Sequence, residues 1–419
     1  MSYRIASTFA TLSTMLALTL TVAGCGSVSG SSLTPTPTPV SSPSPTPTPG
    51  ISPTPTPTPV PSAQIIYQVS FLCTTGNPHC SNNGVSSDGV YAYRMDPSTG
   101  AVTDIPGSPF FTGSNAQNVI ATPSGNLVFA ADVTTDAGHQ PIIEVGSNDF
   151  VTFRPDPITG VLTKLATTAL PGRPFEVVMH PSGKFLYAIA RDLVGFAIDQ
   201  NSGKLTALPS IPLGFDNDVS DFSLNIDPAG RFIYAMINGR ISVFRIDANN
   251  GALTAVPGSP FSLGSLLLTR ISVHPSGRFI YVSGDPQIGS GSIFELAVDQ
   301  NTGALTPISG SPLVVKTPVV SMTFVNNGLT AYADGDKELN LFSVNTSTGE
   351  LTALSPVAAS GFTFGNNVVD GTGQFVYVGS TGILGFRVQG DGTPQSLPGF
   401  PHGTALGIEP HGIAIAPLP

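Results

Sequence analysis

A turn followed by an apolar strand recurs through most of this chain, and it restricts the possible folds more than any other feature. Six copies begin 45 to 58 residues apart, and no helical spacing is sustained between them. Four-stranded β-propeller blades repeat over such a period. The copies are TPSGNLVFAAD from Thr122, HPSGKFLYAIA from His180, DPAGRFIYAMI from Asp227, HPSGRFIYVSG from His274, VNNGLTAYADG from Val325 and DGTGQFVYVGS from Asp370.

A second repeat runs out of phase with the first. Each copy is a strand, a tight turn with a Gly that supplies a positive φ, and a further strand. One period therefore contains four strands, which we label A and B around the first turn and C and D around the second. The seven copies are YRMDPSTGAVT, FRPDPITGVLT, FAIDQNSGKLT, FRIDANNGALT, LAVDQNTGALT, FSVNTSTGELT and the degenerate FRVQGDGTPQS.

The two ends of the chain complete the count of strands. PHGIAIAP, from Pro410 to Pro417, resembles a strand A that nothing follows, whereas IIYQVS and VYAYRM near Ile65 resemble strands B and C that no strand A precedes. A blade shared by both ends pairs edges that would otherwise be exposed. The sequence therefore predicts an all-β fold, a seven-bladed propeller of four-stranded antiparallel blades over residues 63–419.

The N-terminus has the composition of an export signal. Arg4 precedes an apolar run from Ile5 to Ala23, and small residues precede Cys25. VAGC resembles the bacterial lipobox, which implies cleavage after residue 24, diacylation of Cys25 and a protein anchored in a bacterial membrane, facing the periplasm or the exterior. Gly26 suggests the outer membrane if the organism is Gram-negative. The alternative is an ordinary cleaved signal with a chance cysteine.

Residues 25–62 are rich in alternating Pro and Thr. Proline removes an amide donor and biases the preceding residue towards extended backbone, so we expect a semi-rigid spacer between membrane and propeller. Cys73 and Cys80 then form an even pair in an oxidising compartment, which favours a disulfide across a short loop. A metal site with His79 is the alternative, but it would lack a fourth ligand.

The formal charge of −10, without a cluster of Lys or Arg, argues against nucleic-acid binding. The sequence contains no GxSxG elbow, no GKS or GKT loop and no HExxH motif, so we expect no cofactor and no metal. Two acidic segments, FDNDVSD and DGDKE, lack the spacing of a calcium loop, and we interpret them as solvated. We expect a monomer.

The HPSGRFIYV and FRID-x-x-x-G-x-LT signatures resemble the seven-bladed lactonase family, whose members include bacterial 6-phosphogluconolactonase and the fungal muconate-lactonising enzyme. The resemblance covers about 350 residues, from Ile65 to the C-terminus. It implies the fold and permits lactone hydrolysis. Members of that family resemble one another in a Pro-Arg-His tripeptide entering one strand A, and the corresponding triplets here are PFE, LTR and PHG.

Alignment of the seven A strands places one residue of each at the same mouth of the central channel. In the lactonase hypothesis, Glu176 or His411 activates water, and Arg270 with Arg173 stabilises the oxyanion. The alternatives are a salt-bridged plug of the channel and ligand binding without turnover, with a small molecule, a glycan or a protein as the ligand. The aligned residues are Gly412, Asn118, Glu176, Ser223, Arg270, Ser321 and Asn366, with His411, Gln117, Arg173 and Asp221 close by.

Overall fold

The computed structural model describes residues 63–70, 89–112, 115–133, 148–214, 222–264, 267–287, 290–317, 319, 321–334, 338–358, 367–379, 382–403 and 410–419. The predicted signal, the lipidated Cys25, the linker and the Cys73–Cys80 pair lie outside these residues. In the parts of the chain described, no helix is long and apolar enough to cross a membrane.

The described strands form seven antiparallel sheets, as the two repeats predict. Blades 1 to 3 contain β1 (Gln64–Ser70), β2 (Gly89–Met95), β3 (Val102–Asp104), β4 (Phe110–Phe111); β5 (Asn115–Ala121), β6 (Val128–Val133), β7 (Asn148–Pro155), β8 (Leu162–Ala169); and β9 (Glu176–Met179), β10 (Phe185–Ala190), β11 (Asp192–Ile198), β12 (Leu205–Ala207). Blades 4 and 5 contain β13 (Phe222–Ile226), β14 (Phe232–Ile237), β15 (Arg240–Ile246), β16 (Leu253–Ala255), β17 (Phe261–Ser262); and β18 (Leu267–Val273), β19 (Phe279–Gln287), β20 (Ser290–Val298), β21 (Leu305–Pro307), β22 (Leu313–Val315). Blades 6 and 7 contain β23 (Met322–Val325), β24 (Thr330–Asp334), β25 (Glu338–Val344), β26 (Leu351–Ala353), β27 (Val357–Ala358); and β28 (Asn367–Val369), β29 (Phe375–Gly379), β30 (Ile383–Val388), β31 (Pro394–Ser396).

The chain ends share one blade, which confirms the predicted ring closure. The last strand, β32 (Pro410–Pro417), lies innermost in blade 1, in the order β3-β2-β1-β32. It pairs antiparallel with β1, so that Ile65 lies opposite Ala416. The amide of Leu418 also donates to the carbonyl oxygen of Ala63 at 2.8 Å. Alone, β1 and β32 would each expose an edge, and their pairing satisfies the backbone groups along both of these edges.

The core lies between neighbouring blades, because strand alternation presents apolar side chains on both faces of each sheet. On the middle strand β14, for example, Tyr234 packs with residues of blade 5, whereas Ile233 packs with residues of blade 3. Both side chains are fully buried.

Buried tyrosines of the B strands connect each blade to the next. Tyr187, Tyr281, Tyr332 and Tyr377 donate their hydroxyl groups, at 2.6 to 2.8 Å, to the carbonyl oxygens of Gly251, Gly349, Gly392 and Gly100 in the next C–D turn. Gly100 has a φ of +76°, and a Cβ there would lie 2.4 Å from the ring of Phe375, so both the turn and the close approach require glycine. The bond to Gly100 joins blade 7 to blade 1.

The histidines of the A–B turns also connect neighbouring blades. Nδ1 of His180 accepts from the amide of Ser182, so Nε2 donates to the carbonyl oxygen of Gly230 in the next turn at 3.0 Å. His274 makes the same contact with the carbonyl oxygen of Gly328. This geometry makes both histidines scaffold residues of the turn face.

The aspartates of the C–D turns cap those turns. The carboxylate of Asp96, for instance, accepts the amides of Ser98 and Thr99 at 2.8 and 3.0 Å. The hydrogen bond from the Ser98 hydroxyl group and these two amide bonds lower the pKa of Asp96 to about 2. Asp156, Asp199, Asp247 and Asp299 occupy the same position in their turns.

Candidate functional site

The A–B and C–D turns lie on one face of the ring, called here the turn face, and the D–A and B–C connections lie on the other, called the mouth face. The predicted alignment at the mouth is observed in five A strands, where the aligned residue pairs with the residue two positions after the aromatic ring of strand B. These pairs are Gly412–Val69, Asn118–Ala131, Glu176–Ile189, Ser223–Met236 and Arg270–Ser283.

Three adjacent blades meet at Glu176. The guanidinium group of Arg270 reaches past blade 4 and forms an ion pair with Oε1 of Glu176. The amide of Leu224 donates to Oε2 at 2.5 Å, and the hydroxyl group of Ser223 is a further hydrogen-bond partner. The structure therefore brings together three of the aligned residues, Glu176, Ser223 and Arg270.

The electrostatics of this cluster follow from unequal burial of its two charges. The side chain of Glu176 is 13% exposed and that of Arg270 is 35% exposed. Burial raises the pKa of Glu176 above its ordinary value, although Arg270 and the hydrogen bonds oppose the rise. The Arg270 side chain stays partly exposed, and a guanidinium group has five N–H donors, more than the ion pair uses.

Hydrogen bonds between inner strands hold the cluster in place. The amide of Ile271 donates to Oγ of Ser223 at 3.0 Å, and the amide of Met322 donates to Oγ of Ser272 at 3.1 Å. The side chain of Asn225 donates to the carbonyl oxygen of Ile271 at 3.1 Å. Blades 4, 5 and 6 are thus connected around the channel as well as at the turn face.

Arg173 lies beside the cluster on the connection that leads into β9. It donates to the side-chain oxygen of Gln117 at 3.2 Å, and its guanidinium carbon lies 5.7 Å from the centre of the Phe175 ring. Burial lowers the pKa of Arg173, which leaves it charged at any physiological pH because arginine starts from so high a value. Phe175 in turn packs on Phe222, with ring centres 4.8 Å apart.

The other predicted residues have different outcomes. Asn118 donates to the carbonyl oxygen of Phe175 at 3.3 Å, which makes it a bridge between blades 2 and 3. Ser321 lies directly before β23. Asp221 and Asn366 lie outside the described residues, and His411 is described only as a backbone position of β32.

Phe175 and Phe222 are mouth residues that the sequence interpretation missed. Each immediately precedes an aligned polar residue, Glu176 or Ser223, and that adjacency was the available signal. A metal centre has no support within the described ranges, where no three His, Cys, Asp or Glu residues cluster.

Comparison with known proteins shows which solved structures share this fold. No family model matches the chain, and no curated protein matches it. Among solved structures, the periplasmic gluconolactonase of Pseudomonas aeruginosa is 16% identical, with a TM-score of 0.65 over 85% of this chain and 100% of that one. The fold is that of the lactonase-type propellers.

Two further solved structures support the same fold. Candidate 6-phosphogluconolactonases from Bacteroides uniformis and Bacteroides fragilis both give a TM-score of 0.65, at 15% and 18% identity. They cover 85% and 86% of this chain and 100% of their own. The resemblance to lactonase-type propellers is thereby confirmed for the fold, and chemistry must be argued from the site.

Proposed function

We propose that this protein is a lipid-anchored binding module whose propeller holds a small lactone or hydroxy acid at the mouth of its channel. The observation on which this rests is the ion pair of Arg270 and Glu176, held across three blades, in which the Arg270 side chain stays 35% exposed. A fixed guanidinium group suits carboxylate and carbonyl oxygens, because it offers several N–H donors in one plane.

Binding is favoured over turnover because the carboxylate of Glu176 is already engaged. One oxygen accepts from Arg270 and the other from the amide of Leu224. A general base needs a lone pair within hydrogen-bond reach of water, and these two bonds occupy a lone pair on each oxygen and hold the carboxylate towards Arg270. The arrangement therefore serves first to orient Arg270.

Lactone hydrolysis is the second candidate, and the raised pKa of Glu176 favours it, because a more basic carboxylate accepts a proton from water more readily. The water oxygen would attack the lactone carbonyl carbon while Glu176 takes the proton, and Arg270 with Arg173 would stabilise the oxyanion. Breakage of the ring C–O bond would then return the proton to the leaving alkoxide and yield a hydroxy acid. An envelope location argues against phosphorylated substrates.

The anchor is part of the same proposal and rests on the sequence around Cys25. Labelling cells with a radioactive fatty acid should mark the wild-type protein and leave Cys25→Ser unmarked. Equal labelling of both proteins would remove the anchor from the proposal.

Binding is tested by titrating the purified full-length chain with gluconate and with glucono-δ-lactone in a calorimeter. Arg270→Gln should weaken the affinity about tenfold or more, the effect of losing one charge-assisted hydrogen bond. Arg278→Gln is the matched control, since Arg278 lies on the same blade but contacts carbonyl oxygens of the turn face. Absence of binding by the wild type, or equal affinities in both variants, would contradict the proposal.

Hydrolysis is tested separately by following acid release from glucono-δ-lactone and γ-butyrolactone in a pH-stat. A true hydrolase should exceed the buffer rate, and Glu176→Gln should lose that excess while still binding gluconate. A wild-type rate equal to that of buffer removes the second candidate and leaves the binding proposal standing.

A further inference from the structure

A second cleft opens on the mouth face beside blade 4, apart from the pair of Arg270 and Glu176. Its volume is about 420 Å³, within the range of about 300–1,000 Å³ that is usual for small-ligand sites. Leu213 and Gly214 line it from the connection between blades 3 and 4, and Ile237, Arg240 and Ser242 line it from blade 4.

The blade 4 wall of this cleft continues a single cross-strand row. Phe222 of β13 lies opposite Ile237 of β14, and Ile237 lies opposite Arg240 of β15. Directly opposed residues of antiparallel strands project to the same face of the sheet, and adjacent strands lie about 4.8 Å apart. The row therefore runs outward for about 10 Å, from an aromatic ring near the channel to a cation at the rim.

Arg240 differs from every other arginine in the described ranges because its side chain has no polar or aromatic partner there. Four others, Arg94, Arg154, Arg245 and Arg387, donate to carbonyl oxygens of the next C–D turn. Arg240 is exposed, and the repeat does not require it, since the corresponding position of blade 3 is Asp192.

We propose that this cleft binds an amphipathic monocarboxylate of the medium-chain fatty acid type. The carboxylate pairs with Arg240, and the chain lies along Ile237 and Leu213 towards Phe222. Among the described residues that line the cleft, Arg240 carries the one charged side chain. This goes beyond the binding of a hydroxy acid in the channel, because neither Arg270 nor Glu176 contributes.

The test is calorimetric titration of the full-length chain with octanoate. Arg240→Gln should weaken binding about tenfold or more, whereas Arg240→Lys, which keeps the charge, should stay within about threefold. Lys184→Gln is the matched control, because it removes the same charge beside an A–B turn on the opposite face. Butyrate should bind more weakly than octanoate, since its chain covers less apolar surface.

The outcomes separate this site from the channel. Arg270→Gln should leave octanoate affinity unchanged while it weakens gluconate binding, so either proposal can fail alone. Failure of the wild type to bind octanoate, equal affinity of Arg240→Gln and Lys184→Gln, or loss of octanoate binding in Arg270→Gln would overturn the inference. Ser242→Leu, which fills the cleft and keeps Arg240, should also abolish binding, and retained binding in this variant would count against the site.

Discussion

The two faces of the propeller differ in whether their contacts repeat from blade to blade. On the turn face the same contacts recur from blade to blade, as when Tyr187 and Tyr281 both donate to a glycine carbonyl oxygen of the next turn. At the mouth, the aligned positions of blades 3, 4 and 5 are Glu176, Ser223 and Arg270, three different residues that act on one another.

This difference separates residues that the propeller fold requires from residues that it does not require. A residue that recurs at the same position in several blades meets a structural requirement of every blade, such as the joining of neighbouring sheets. Some polar residues occur in one blade only, at a position where the other blades have a different side chain. The repeated architecture does not require such a residue. The mouth face is therefore where a ligand site is to be sought, and the turn face is where the contacts that every blade requires are found.

The largest effect is expected from breaking the ion pair at the mouth. Arg270→Leu leaves the buried carboxylate of Glu176 without its cation and should lower the free energy of unfolding by about 3 kcal/mol at neutral pH. Because the pKa of Glu176 in the folded protein is raised, the penalty applies above that pKa and should shrink as the pH falls and the group is protonated. Urea unfolding at several pH values measures both effects.

The double variant Glu176→Gln with Arg270→Leu serves as the control, since it removes both charges and should recover part of the loss. A loss below about 1 kcal/mol in Arg270→Leu, the size found for exposed pairs, would mean that the mouth does not bury this charge effectively.

A smaller effect should distinguish two tyrosines that look alike in sequence. Tyr281→Phe removes a buried hydrogen bond and leaves the carbonyl oxygen of Gly349 unsatisfied, so it should cost about 1–2 kcal/mol. The hydroxyl group of Tyr234 is buried without a partner among the described residues, so Tyr234→Phe should be neutral or stabilising. Denaturant midpoints compare the two variants directly, and equal losses of stability would mean that the Tyr281 hydrogen bond contributes no more than the unpaired hydroxyl group of Tyr234.

The smallest effect on stability is expected from Glu295, a residue of blade 5 that departs from the repeat and contacts blade 6. This carboxylate is buried, accepts the amide of Leu351 at 2.7 Å and has a pKa raised by burial. A raised folded pKa means that the charged form destabilises the protein at neutral pH and that protonation relieves this as the pH falls.

Glu295→Gln keeps an acceptor for Leu351 and should raise stability at pH 7 by on the order of 1 kcal/mol. The gain over wild type should diminish towards pH 4, as thermal unfolding at both pH values would show. A loss of stability at pH 7 would indicate that the negative charge itself joins the two blades.

Much of the fold could be predicted because the signals are local. Each blade requires a glycine in its C–D turn, a residue that caps this turn and an aromatic residue in strand B. These residues therefore recur along the sequence at the period of the blades. The seam could also be predicted, since Pro410 to Pro417 has the pattern of a strand A and the segment near Ile65 lacks one.

The sequence contains a third repeat whose role depends on tertiary structure. Pro-Gly-Ser-Pro and its variants follow the D strands, and their serines accept amides of strand C: Ser108 from Ala92 at 3.0 Å and Ser259 from Val243 at 2.9 Å. Where strand D is interrupted, its backbone cannot pair with these amides of strand C. The serine hydroxyl groups accept them instead. Such a role becomes visible only when the strand opposite is known.

The order of strands, the number of blades and the shared blade at the chain ends were determined by the sequence alone, because turn chemistry and strand alternation act over a few residues. Tertiary structure decided that Glu176 meets Arg270, 94 positions later, and that Phe222, Ile237 and Arg240 form one row. Side chains from different blades meet only after the ring has closed, and that closure depends on the packing of all seven sheets together.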